Sequence, residues 1–179
     1  MKDLTRVRIR FPEARDAPPV LEAVRESIAE LERWMPWAHR GYSLTDASGW
    51  IDRTAIARAE GSAFEFVIED DDGRILGCCG INAIRPEFRF ANLGYWVRTS
   101  ATRQGVATQA VKETALWAFA NGPLERLEIV VDVDNEPSLG VARRAGAVRE
   151  GVLRARLFMH DVARDAVMHS IVRGRDRLD

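Results

Sequence analysis

Leu93-Gly94-Tyr95-Trp96-Val97, followed by Thr102-Arg103-Gln104-Gly105-Val106-Ala107-Thr108, is the stretch that decides the fold. The first segment reads as a strand, and the second opens a run with helical spacing, Ala107, Ala110, Val111, Ala115 and Ala118, that Asn121-Gly122-Pro123 stops. A small-residue loop entering a helix exposes the first N–H groups of that helix and the positive end of its peptide dipoles, which suits a pyrophosphate. Gly105 and Ala107 supply the smallness. Gly-x-Gly-x-x-Gly follows no strand and Gly-Lys-Ser/Thr does not follow the loop, so neither a Rossmann dinucleotide site nor a Walker A loop is indicated.

Outward from this unit the chain reads as one domain, residues 1–179, with 46% hydrophobic residues for a core. With 26 basic and 27 acidic residues the net charge is −1, which gives no electrostatic reason to expect nucleic acid or a membrane as partner. No leader pattern and no run of about 18 apolar residues is seen, so a cytoplasmic location is expected. Cys78 and Cys79 are adjacent and point to opposite faces of a strand, a poor disulfide pair. His39, His160 and His169 lack metal-ligand spacing, and no metal is expected.

Upstream, Val7 to Phe11 alternates like a strand, and Val20, Leu21, Val24, Ile28 and Leu31 mark one amphipathic helix that Pro36 closes. Thr45 or Asp46 is the expected cap of a second helix running to about Glu60. Phe64 to Glu69 and Arg74 to Ile84 flank the acidic turn Asp70-Asp71-Asp72-Gly73 and read as a hairpin. Phe88 to Arg98, Leu127 to Val133, Val148 to Phe158 and Asp165 to Val172 complete the strands. Hairpins first, then strands alternating with two helices, imply an α/β (α+β) architecture with a mixed sheet and helices on both faces.

Thirty residues beyond the loop stand Asn135-Glu136-Pro137-Ser138 and then Gly146-Ala147-Val148-Arg149-Glu150-Gly151. Together with Gly105-Val106-Ala107, these segments resemble the GNAT acyl-CoA-dependent N-acetyltransferases of the RimJ/RimL type. That family has Gln/Arg-x-x-Gly-x-Gly/Ala in its loop, then Asn-x-x-Ser and Gly-x-x-x-Glu-Gly. Ser27, Leu31 and Trp34-Met35-Pro36-Trp37 are similar to its first-helix pattern. The resemblance implies a mostly antiparallel central sheet and acetyl-CoA as cofactor. It implies cofactor contacts from Trp96, Val97, Arg98, Arg103, Gln104, Gly105, Val106, Ala107, Thr108, Asn135 and Ser138. Thr102 stands where the family carries Gln or Arg, so side-chain pairing with the phosphates falls to Arg103.

Acyl transfer from a thioester to an amine needs a bound cofactor, a polarised carbonyl, a neutral amine and a proton for the departing thiolate. The resemblance assigns the polarising donor to the main chain of Val97 and the thiolate proton to Ser138. With Ala142 four residues further on, that helix offers no tyrosine in its place. Asn135 is expected to cap the helix and bind the pantetheine arm. Many relatives have Glu-x-Gly-Tyr on the strand before the loop. Here Asn92 stands in place of the glutamate and can hold a water or a substrate carbonyl, though it cannot act as base. Glu65, Glu128 and Asp132 are the remaining strand-borne carboxylates. Trp34, Trp37, Trp50 and Tyr42 either wall an acceptor pocket or pack in the core.

The expected activity is direct acetyl transfer to an amine, such as a protein N-terminal α-amine. A small-molecule amine acetyltransferase and a non-catalytic acyl-CoA-binding module are the alternatives. A C-terminal edge strand offers a surface for a homodimer.

Overall fold

The computed structural model describes residues 6–175. In chain order they form β1 (Val7–Arg10), α1 (Ala17–Glu26), α2 (Ile28–Trp34), α3 (Leu44–Glu60), β2 (Phe64–Asp70), β3 (Ile75–Arg85), β4 (Phe90–Val97), α4 (Val106–Asn121), β5 (Arg126–Asp132), α5 (Glu136–Arg144), β6 (Val148–Met159) and β7 (Val162–Val172). The sheet order is β1-β2-β3-β4-β5-β7-β6. Only β4 and β5 run parallel, joined by α4, and every other neighbour is antiparallel. The architecture is the expected mixed, mostly antiparallel sheet.

Helices cover both faces because the strands in the middle of the sheet are apolar on both sides. On one face Val20 and Val24 of α1 and Ile51 of α3 pack on Val67, Ile75 and Cys78. On the other, Val111 and Ala115 of α4 and Ala142 of α5 pack on Ile81, Leu93, Leu127 and Ile129. Each such aliphatic side chain withdrawn from water stabilises the fold by about 1.5–3 kcal/mol.

Two helix boundaries differ from the sequence reading. The first helix begins at Ala17 and breaks at Ser27, whose hydroxyl donates back to Ala23 O (2.8 Å) and accepts from the Thr99 N–H (2.9 Å). A serine bonded to the preceding turn competes with the helical ladder, and apolar periodicity is blind to that. The cap of α3 is Ser43 and not Thr45 or Asp46. Asp46 sits at the third helical position and closes a reciprocal capping box, accepting from the Ser43 N–H at 2.8 Å. The strand expected from Phe88 begins at Phe90, after a turn in which Phe88 N–H bonds Arg85 O.

Pairing between β4 and β5 covers only Phe90↔Arg126, Ala91↔Leu127 and Asn92↔Glu128. β4 continues to Val97 along β3, while no β5 residue pairs with its second half. This parting of two parallel strands opens the sheet where the site lies.

Candidate active site

Strand alternation fixes which main-chain donors face the opening. Arg98 N–H donates to Leu76 O (2.7 Å), so Gly77 and Val97 are a non-hydrogen-bonded antiparallel pair. The N–H groups of Val97 and Tyr95 therefore point away from β3, towards the edge that β5 has left. A carbonyl oxygen placed there meets main-chain donors with no competing strand.

The loop after β4 is set by two left-handed residues, Arg103 (φ 61°) and Gly105 (φ 80°). Gly105 adopts that conformation without a Cβ penalty and serves as the N-cap of α4. The first helical bond runs from Gln109 N–H to Gly105 O (3.0 Å), and the N–H groups of Val106, Ala107 and Thr108 have no acceptor among the described residues. Val106 is 1% exposed and pins the helix start to the core below. The Gln104 amide turns back to Ser100 O (2.7 Å), and Arg103 is exposed. These free donors and the glycine turn fit a pyrophosphate, a ligand that needs N–H groups more than side chains.

The Arg98 side chain, expected to contact the cofactor, is 3% exposed and bonded within the protein. It donates to Glu26 Oε2 through Nε (2.8 Å), to Glu22 Oε1 (2.6 Å) and to Ile75 O (3.2 Å). Ser100 N–H donates to the other oxygen of Glu26 (2.8 Å). Arg98 is a clamp between α1 and the root of the loop. Burial, which local sequence does not encode, made it structural.

Across the opening, Asn135 caps α5 by accepting the Ser138 N–H (3.2 Å), as its spacing suggested. Tyr95 Oη lies 2.9 Å from Ser138 Oγ and 3.1 Å from Ser138 O. When the phenol donates to Ser138 Oγ, the serine proton is free for a third atom. Burial pushes the Tyr95 hydroxyl up to about 12, so it stays protonated at neutral pH. Sequence reading looked for a tyrosine on α5 and missed the one that β4 sends to it. The signal was there, since Tyr95 and Val97 share a strand face.

Asn92, Ser138, Tyr95, Trp96 and Asn135 all line one cavity of about 510 Å³. Trp34, Trp37, Trp50 and Tyr42 wall its far side, with the Trp37 ring 6.0 Å from that of Trp96 and 5.7 Å from that of Tyr42. The three strand carboxylates part company here. Asp132 is paired with Arg164 and also accepts the Asp134 N–H (2.9 Å), which together hold its carboxyl below the usual range. Glu128 is paired with Arg126 (2.9 Å). Glu65 has no ion-pair partner among the described residues, and burial pushes it up to about 7.

Comparison with known proteins agrees with this geometry. Residues 6–148 match the acetyltransferase (GNAT) domain family, and the chain belongs to that family. It is 27% identical over 152 residues to the ribosomal-protein-serine acetyltransferase of Escherichia coli strain K12, covering 85% of this chain and 84% of the relative. Among solved structures it resembles Mycobacterium smegmatis RimJ in complex with CoA-disulfide (28% identity, TM-score 0.84, 96% of this chain and 84% of that one). The microcin C7 self-immunity acetyltransferase MccE, solved with acetyl-CoA and AMP, shares the fold (TM-score 0.87, 23% identity, 93% and 92% covered). Among the described residues no helix is long and apolar enough to cross a membrane.

Proposed function

We propose that this acetyltransferase moves the acetyl group of acetyl-CoA to the α-amine of a protein N-terminus in the cytoplasm. The observation that carries the reading is the parting of β4 from β5 after Asn92. It leaves the Val97 N–H facing away from β3, on the edge beside the cavity that the Tyr95–Ser138 pair lines. The relatives named for acetylating ribosomal proteins support a protein amine as acceptor.

Acetyl-CoA supplies an activated acetyl group as a thioester. The N–H groups of Val106, Ala107 and Thr108 hold phosphate oxygens, and Gly105 keeps the approach open. Val97 N–H donates to the carbonyl oxygen as negative charge grows on it, and loss of one such donor typically costs about 10²- to 10³-fold in rate. Ser138 Oγ–H gives its proton to sulfur, with Tyr95 Oη behind it. Trp37, Trp96 and Tyr42 give the cavity an aromatic wall against which an acceptor chain end can pack.

The test is acetyl transfer to two matched peptides, one with a free N-terminus and one blocked there but carrying lysine. The free N-terminus is expected to be the better acceptor, since an α-amine ionises at about 7.7–8.0 and a lysine near 10.4. Gly105→Val, a β-branched residue at a left-handed position, is expected to weaken acetyl-CoA binding by calorimetry while the circular dichroism stays that of the parent. Equal use of both peptides would move the acceptor to small-molecule amines, and unchanged affinity would remove the loop from the cofactor site.

A further inference from the structure

One polar cluster on the α1–α3 face of the sheet has no structural partner to explain it. Glu65 lies directly opposite Gly80, and Gly80 lies opposite Gly94, so a carboxylate and two glycines form one row across β2, β3 and β4. Gly80 leaves the space that the carboxylate occupies. A Cβ there would run into the Glu65 carboxylate and come within 2.6 Å of Phe64 O. A Cβ at Gly94 would meet only Asn92 Nδ2, at 3.9 Å, so the floor beside the carboxylate is open. The next row is Asn82 opposite Asn92. Asn82 Nδ2 donates to Glu65 Oε1 (3.3 Å), and Asn92 Nδ2 donates to Asn82 Oδ1 (3.0 Å).

A carboxylate can only accept, and this fixes the polarity of the chain. Glu65 draws the NH₂ of Asn82, the carbonyl of Asn82 draws the NH₂ of Asn92, and the carbonyl of Asn92 is left to accept from something in the cavity. All three residues line that cavity. An ammonium group matches an outward amide oxygen beside a carboxylate.

We propose that Glu65 takes the proton of the acceptor ammonium, and that Asn82 and Asn92 are positioning residues that hold the amine over the Gly80–Gly94 floor. The proposal rests on the acetyl-transfer reading and supplies the base that Asn92 removes from its usual strand. One proton passes from R–NH₃⁺ to the Glu65 carboxylate, leaving R–NH₂ and a neutral carboxylic acid. The nitrogen lone pair then forms the C–N bond as the C–S bond breaks. The second nitrogen proton lost balances the one Ser138 gives to sulfur, and Glu65 releases its own to solvent.

The surroundings of Glu65 suit this task. Burial alone pushes its carboxyl up, to about 7, against the lowering effect of the Asn82 hydrogen bond. From β3 the Cys78 thiol shares its face, pushed up by burial and so neutral at that pH, while the Cys79 thiol lies on the opposite face against Thr114 of α4. From β4 it meets only the Asn92 amide. The phenol of Tyr42 is likewise pushed up, to about 12. α1 turns Val20 and Val24 inward and α3 turns Ile51 and Thr54, while Glu22, Arg25, Asp52 and Arg53 stay on the exposed sides. A base with a pKa near the working pH combines a useful unprotonated fraction with adequate basicity.

The test compares the parent with Glu65→Gln on the free-N-terminus peptide between pH 5.5 and 9, with acetyl-CoA affinity measured by calorimetry. The parent kcat/KM is expected to rise through an inflection near pH 7. In Glu65→Gln it is expected to fall about 10²- to 10⁴-fold and lose that inflection, with acetyl-CoA affinity unchanged. A carboxyl ¹³C resonance titrating near pH 7 in the parent, absent from Glu65→Gln, reads the group without turnover. Should Glu65→Gln not fold, Glu65→Ala with added formate is the second arm, and rescue of the rate by formate marks a missing base. An inflection and rate within threefold of the parent in Glu65→Gln, or no rescue in Glu65→Ala, would overturn the assignment and leave acetyl transfer standing. A parent that binds acetyl-CoA but acetylates neither peptide would overturn both.

Discussion

The face of the sheet beneath α1 carries two polar clusters, a buried Arg98 reaching out to the solvent-exposed Glu22 and Glu26, and Glu65 with Asn82 and Asn92. In the first, a guanidinium 3% exposed meets two carboxylates and a carbonyl, and the Arg98 hydrogen bond holds Glu26 down at about 2. In the second, a carboxylate meets only amides, and burial moves it the other way, to about 7. The same carboxyl chemistry thus moves in opposite directions, because a guanidinium hydrogen bond dominates at Glu26 and burial without a cation dominates at Glu65. A paired carboxylate is fixed in one charge state and holds elements together. An unpaired one is costly to bury and free to exchange a proton, which is what a reaction requires.

The largest way to break this contrast is Arg98→Ala. Ile75 O would lose its donor and Glu22 its cation, while Glu26 keeps Arg74 and both carboxylates reach solvent, so a loss of about 1–3 kcal/mol in urea unfolding is expected at pH 7. Glu26 carries a depressed pKa, so its share of that stability is present above about 4.5 and lost as the pH falls towards 2. The gap between parent and variant should therefore close on acidification. Glu65 is raised, so it must give the opposite slope: the parent should lose ground to Glu65→Gln as pH rises from about 4.5 through 7. Parallel stability curves for the two variants would erase the distinction.

A smaller effect sharpens the contrast by asking whether a neutral pair behaves like either cluster. Tyr95→Phe removes the hydroxyl behind Ser138 and leaves the ring in the core, so kcat is expected to drop about tenfold, some 1.4 kcal/mol, with acetyl-CoA affinity kept. A rise in KM with kcat unchanged would make the pair a binding contact. The smallest effect is expected at Asn135→Ala, about 1 kcal/mol of stability for the lost α5 cap, read as a shift of the unfolding midpoint. A shift several times larger would mean that Asn135 anchors more of the cavity than one helix end.

Sequence legibility followed the range of each interaction. The order of strands and helices, the Gly105 turn and the Asn135 cap were readable because each rests on dihedrals and hydrogen bonds among residues three or four apart. The Ser27 break depends partly on Thr99, 72 residues away, and periodicity alone predicted a continuous helix. Arg98 shows the same limit at the site. Its position beside the loop suggested a cofactor contact, and partners 72 and 76 residues away made it a clamp.

What the sequence determined by itself was the strand, loop and helix that present free N–H groups, together with the spacing that sets Ser138 at the start of α5. Only the tertiary structure decided that Tyr95 reaches Ser138 across 43 residues, and that Glu65, of three candidate carboxylates, is the one without a cation. The physical reason is that dihedral preferences and caps are properties of neighbouring residues in the chain. The charge state of a buried carboxylate is a property of whatever other strands and helices bring beside it.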